Sequence, residues 1–188
     1  MQATETLAPS TDAPTSELVR AAFRDVHGSR LHGFALLLTL GDQPVAARLA
    51  AQALADGAGR AGDLRHPERA AAWLRARALH YARRQRRGTS QRPRHRALND
   101  LGADDPVGAA LGVLGMRERA ALIASDVERL DQRDVSTIVD TDGAGLDRML
   151  QRARTRYADA FAASARDEAV REGPLGTRIR TAADRALR

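Results

Sequence analysis

Arg148, Arg152, Arg154 and Arg156 are interleaved with an apolar series, Leu146, Met149, Leu150, Ala153, Tyr157 and Phe161, that recurs at helical spacing. A helix that buries such a stripe turns its other faces, and their guanidinium groups, to solvent. Guanidinium in that position is chemistry for phosphate, a permanent charge whose forked donors match an oxyanion. A second group, Arg83, Arg84, Arg86 and Arg87, ends a segment whose Ala70, Trp73, Leu74, Ala78 and Tyr81 share one helical face, and further arginines continue as far as Arg96. Contacts of this kind give salt-dependent, sequence-independent affinity, positioning a protein on nucleic acid without specifying a site. Trp73 and Tyr81 have two readings, platforms for unpaired bases or core residues; their spacing favours the core.

Other chemistries find little support. The five histidines include no pair at i, i+3 or i, i+4, and cysteine is absent, so zinc sites of cysteine type, disulfides and thiol nucleophiles are excluded. Asp140-Thr141-Asp142-Gly143 has the look of a calcium loop, but its ligand series is too short and Gln151 stands where the closing glutamate belongs. No glycine-rich phosphate motif succeeds a strand pattern, and no nucleophile elbow is visible. The sequence therefore predicts no metal, no cofactor and no enzymatic activity.

The elements that would position these arginines read as helices throughout. Ser16 is a candidate N-cap for a helical pair with a break at Gly28 or Gly33. Gly41-Asp42-Gln43-Pro44 combines a helix stop, an N-cap and a first-turn proline, and Gly57, Gly59 and Gly62 end the helix opened there. His66-Pro67-Glu68 and Asp104-Asp105-Pro106 open two more. Asp131 is a plausible N-cap for a short helix carrying Val135, Ile138 and Val139, and Gly143 permits the tight turn before the basic helix. Short helix, turn and longer basic helix is helix-turn-helix order.

With 188 residues, the expected fold is all-α, two small helical domains joined by a basic linker: a disordered lead (1–15), a helical domain (16–87), a flexible linker (88–105), a helix-turn-helix domain (106–162) and a tail (163–188) with a weak apolar face at Ile179, Ala182, Ala183 and Leu187. Aromatic residues are only 3% of the chain, so packing rests on Leu, Ala and Val and stability is expected to be marginal. Net charge is +6, and all 30 Lys+Arg positions are arginine. A GC-rich genome would give the same arginine excess, so location is the better guide: residues 60–96 hold 12 arginines against Asp63 and Glu68, whereas residues 107–162 hold 8 against 9 acids. A basic field favours polyanionic partners. No signal segment opens the chain, and the longest apolar run, Phe34 to Leu38, is too short to span a bilayer, which predicts a cytoplasmic protein.

The spacing of Leu146, Leu150, Arg152, Ala153 and Arg154 resembles the last helix of the extracytoplasmic-function sigma factors, where the pattern is Thr-Val-Lys-Ser-Arg-Leu-x-Arg-Ala-Arg. Gly145, Asp147, Arg148 and Met149 depart from it. The first half resembles the N-terminal domain of the same family: Leu18 to Phe23 with His27 as the opening helix, Gly41-Asp42 with Ala46, Leu49 and Leu54 as the turn and docking helix, and Trp73-Leu74 with Arg87 as the promoter-proximal helix. Arg48, Ala51, His80 and Arg84 depart from that pattern. The resemblance implies region 2-like and region 4-like domains, with core RNA polymerase bound through Leu49 and Gln52. Promoter DNA would be bound through Arg83, Arg84, Arg86, Arg87, Arg148, Arg152, Arg154 and Arg156, and an anti-sigma factor or other regulatory protein is a further partner of such factors. The alternative is a divergent sigma-like protein that has lost promoter reading and acts by protein–protein interaction. A basic nucleic-acid binder unrelated to polymerase is a third reading.

Overall fold

The computed structural model describes residues 12–60, 64, 66–85, 98 and 105–172. Among these the fold is all-α, with no strand: α1 (Asp12–Leu38), α2 (Gln43–Ala58), α3 (Pro67–Gln85), α4 (Asp105–Gly112), α5 (Met116–Leu122), a π-helical segment (Ile123–Val127), α6 (Gln132–Val139) and α7 (Gly143–Glu172). The expected tail lies partly within α7, which runs on to Glu172; residues 173–188, with Ile179 and Leu187, fall outside the described residues.

The first helix corrects two expectations. It begins at Asp12, inside the expected disordered lead and ahead of Ser16, and it passes through Gly28 and Gly33 without a break. A helical glycine costs about 1 kcal/mol relative to alanine. That is too little to interrupt a helix whose Leu31, Phe34, Ala35 and Leu38 are all buried. The corner after it agrees better with the sequence reading. Leu40 and Gly41 turn left-handed, at φ 55° and 81°, and the Gly41 N–H reaches back to the Leu36 carbonyl at 2.9 Å, satisfying an end carbonyl of α1. Leu40 tolerates this conformation while almost fully buried. Asp42 then caps α2, accepting from the Val45 N–H at 3.3 Å, with Pro44 in the first turn. Gly57 marks the point where α1, α2 and α3 converge: a Cβ there would lie 2.7 Å from the Phe23 ring and 2.9 Å from Leu74.

One hydrophobic core spans both halves of the chain. Leu31, Phe34 and Leu38 of α1, Leu49 of α2 and Leu74 and Leu79 of α3 belong to the same buried cluster as Ile123, Val135, Ile138 and Leu146. α6 packs against α3, while α4 and α5 pack along α7. Leu40, Leu111, Leu114, Leu122 and Ala153 form a smaller adjoining cluster. The two segments expected as separate domains thus meet over a common interior. Of the expected linker, Leu98 and Asp105 are described, and Leu98 is fully buried.

Arginine reinforces this junction from inside. Arg119, 2% exposed, donates to the carbonyls of Leu38 at 2.6 Å, Leu111 at 2.9 Å and Leu114 at 3.1 Å, tying the end of α1 to the α4–α5 corner. Arg75, 3% exposed, pairs through Nε and Nη2 with both carboxylate oxygens of Glu128, each at 2.5 Å. Its Nη1 donates to the Ala71 carbonyl at 2.9 Å. A buried charge is tolerated when its donors are matched in this way, and removing one partner is costly.

Candidate nucleic-acid interface

α6 and α7 are joined by a three-residue turn, 140–142. The left-handed residue that makes it tight is Asp140, at φ 52°, not Gly143, which instead opens α7. Aspartate is one of the few non-glycine residues that adopt this conformation readily. Arg117 of α5 donates to the carbonyls of Val139 and Asp140, satisfying the end of α6. Asp131 sits at the N-cap of α6 as expected, but its side chain makes no capping bond.

The start of α7 is built around Gly145. Asp142 accepts from the Gly145 N–H at 2.6 Å, capping the helix. A Cβ on residue 145 would come 2.5 Å from Thr141 Oγ1 and 2.7 Å from Asp142 Oδ1. Glycine at this position makes room for the capping carboxylate. Asp147 is engaged as well, accepting from Gln132 Nε2 at 2.8 Å. Asp142 therefore serves as a local cap and Asp147 as a bond between α6 and α7.

The expected stripe is present. Leu146, Leu150 and Ala153 are buried, Met149 and Tyr157 are half-buried, and Phe161, 37% exposed, stacks on Tyr157 with ring centroids 6.1 Å apart. The four arginines around it divide into two pairs. Arg154 holds Asp126 at 2.7 Å, and Arg156 holds Glu118 at 2.7 Å and donates to the Val113 carbonyl, so both fasten α7 to its neighbours. Arg148 and Arg152, one turn apart, are exposed and make no hydrogen bond or ion pair among the described residues. The hydrogen bond from Arg154 holds the Asp126 carboxyl below the ordinary carboxylate value and raises Arg154 in turn.

Arg83 and Arg84 are exposed in the last turn of α3. Arg86 and Arg87 lie outside the described residues. Trp73 and Tyr81 are half-buried and both are engaged. The guanidinium groups of Arg60 and Arg77 sit 5.8 and 5.7 Å from the Trp73 ring centre, and the Tyr81 hydroxyl bonds Asp56 at 2.5 Å. That hydroxyl, and after it Arg77, lowers the Asp56 carboxyl. On α2, Leu49 is fully buried in the core, so its side chain is not on the surface. Gln52 is exposed, as are Arg48 and Ala51 beside it.

The arginines that sequence reasoning passed over are the buried ones. Their signal was available: Arg119 comes three residues after Met116 and four before Ile123, and Arg75 stands in the same relation to Ala72 and Leu79, so each interrupts an apolar helical face. Among the described residues no helix is long and apolar enough to cross a membrane. No protein-family model matches the chain, and no curated protein matches its sequence.

Proposed function

We propose that this protein regulates transcription initiation in the manner of a sigma factor, binding DNA through α6, its turn and the outer face of α7, and core RNA polymerase through the exposed side of α2 around Gln52. The observation that carries this reading is the pair Arg148 and Arg152. Both stand on the second helix of a helix-turn-helix arrangement, exposed and without an ion pair among the described residues. Guanidinium groups so placed suit the phosphate backbone. Arg83 and Arg84 add exposed cations at the end of α3. The protein acts by positioning polymerase, with no catalytic step of its own, and works in the cytoplasm with promoter DNA and core polymerase as partners. An anti-sigma factor or other regulatory protein is its natural antagonist.

The common core favours a second reading. A sigma factor contacts two separated promoter elements, and here α3 and α6 are packed together. A sigma-like protein that acts by protein–protein contact, without promoter reading, needs no such separation. Competition against a housekeeping sigma factor for core RNA polymerase, with Arg148→Ala/Arg152→Ala and Arg83→Ala/Arg84→Ala variants, separates the two. Competitive binding with promoter-dependent transcription that the variants lose supports the first reading. Competitive binding with no transcription supports the second, and absence of polymerase binding by the intact protein overturns both.

A further inference from the structure

Where the two halves meet, α1, α3 and the π segment enclose a cleft of about 510 Å³, within the size range of small-ligand sites. Its rim is apolar and open: Val26 on α1 and Val127 on the π segment are each 63% exposed, two of the largest exposures of apolar side chains among the described residues. Leu130 and Ala71 line the walls. The Arg75–Glu128 pair lies at the junction and lines the same cleft. Arg30 also lines it; it is exposed and has no ion pair among the described residues.

Charge decides what such a cleft can hold. Glu128 is neutralised by Arg75, so the cation left over among the described lining residues is Arg30. His27, another lining residue, is held below the ordinary histidine value by burial and then by Arg75, and is neutral near pH 7. The described lining residues therefore carry a net charge of one positive unit beside apolar walls. A cationic ligand would meet Arg30 and Arg75, and a polyanion would meet Glu128 as soon as it extended past Arg30. A purely apolar ligand would leave the guanidinium unused. We propose that this cleft binds a small amphipathic carboxylic acid, its carboxylate paired with Arg30 and its hydrocarbon body lying between Val26, Val127 and Leu130. Bound there, the acid bridges α1 of the first half to the π segment of the second and holds the junction closed. This site is independent of the DNA-binding reading.

Octanoate is the probe, titrated into the full-length protein and monitored by calorimetry and by thermal unfolding. Octylammonium and octan-1-ol serve as charge-inverted and uncharged controls, and a short acidic peptide tests whether the carboxylate comes from a protein chain instead. The expected result is saturable octanoate binding that raises the unfolding temperature, no binding of octylammonium, and affinity about tenfold lower in Arg30→Gln, the scale of one lost charge-assisted contact. Arg152→Ala, which does not line the cleft, should bind octanoate like the parent protein. No saturable octanoate binding, equal binding of octanoate and octan-1-ol, an unchanged affinity in Arg30→Gln, or tighter binding of the peptide would each overturn the proposal.

Discussion

The junction between the halves and the outer face of α7 use the same side chain for opposite ends. At the junction, Arg75 and Arg119 are withdrawn from water and their donors are spent on Glu128 and on the carbonyls of four residues. On α7, Arg148 and Arg152 keep their hydration and their donors. A buried guanidinium is fixed in place by the cost of leaving it unmatched, whereas an exposed one contributes little to folding and remains available to a partner. Arginine content alone therefore says little about nucleic acid binding. Burial and pairing sort the cations into those that build the protein and those it can offer.

The sharpest test of this contrast is Arg119→Met, which strips the donor from three carbonyls at once. Buried polar groups left unsatisfied cost about 1–3 kcal/mol each, partly relieved by relaxation, so the variant should lose about 3–5 kcal/mol in urea denaturation. Glu128→Ala comes next, at about 3 kcal/mol, because it abandons a buried charge; the double variant Arg75→Leu/Glu128→Leu should recover most of that loss in the same measurement. A smaller effect belongs to His27. Folding keeps it neutral, so the folded chain binds fewer protons than the unfolded one just below the ordinary histidine value of about 6.5, and stability should fall as pH drops from about 7 toward 5. His27→Asn should flatten that slope in thermal melts. Arg154→Ala removes an exposed pair and should cost under about 1 kcal/mol. Because Asp126 is lowered in the fold, its contribution is present above the ordinary carboxylate value and lost as pH falls through the folded one, and this variant should show a shallower acid-side decline. Arg148→Ala and Arg152→Ala should leave stability within about 0.5 kcal/mol, yet each should lower the slope of log affinity against log salt by about one in DNA-binding titrations. Equal stability losses at both regions would break the comparison.

Much of the helical framework is legible in the residues. The corner at Gly41 and Asp42, the starts at Pro67 and Asp105, and the stripe through Leu146, Leu150 and Ala153 are local signals, and each appears where its spacing puts it. What fails is whatever local signals do not determine. Gly28 and Gly33 read as breaks because propensity is a local quantity, whereas the burial of Phe34 and Leu38 against other helices carries α1 through them. Asp140, not Gly143, supplies the left-handed residue, and Arg117, distant in sequence, reaches the carbonyls of Val139 and Asp140 where α6 ends. The roles of Arg154 and Arg156 depend on Asp126 and Glu118, 28 and 38 residues away, and no periodicity on α7 announces that pairing. The common core was invisible for the same reason. A polar stretch in the middle of a chain looks like a boundary until both flanks are seen to bury the same face.

The π segment from Ile123 to Val127 gives the junction a built-in register. The Glu128 N–H bonds the Ile123 carbonyl five residues back, at 3.0 Å, so the chain takes one more residue to complete this turn than an α-helix would. That surplus residue sets the angle at which the rest of the chain leaves the helix, and with it the aim of Asp126 toward Arg154 and of Glu128 toward Arg75. Were the same residues, at unchanged length, to close as an ordinary α-helical turn, the residues beyond would be rotated by about 100°. Both carboxylates would swing off their arginines together. The wide turn thus keeps two ion pairs in register at once, and the hydrogen bond that closes it at Ile123 serves both.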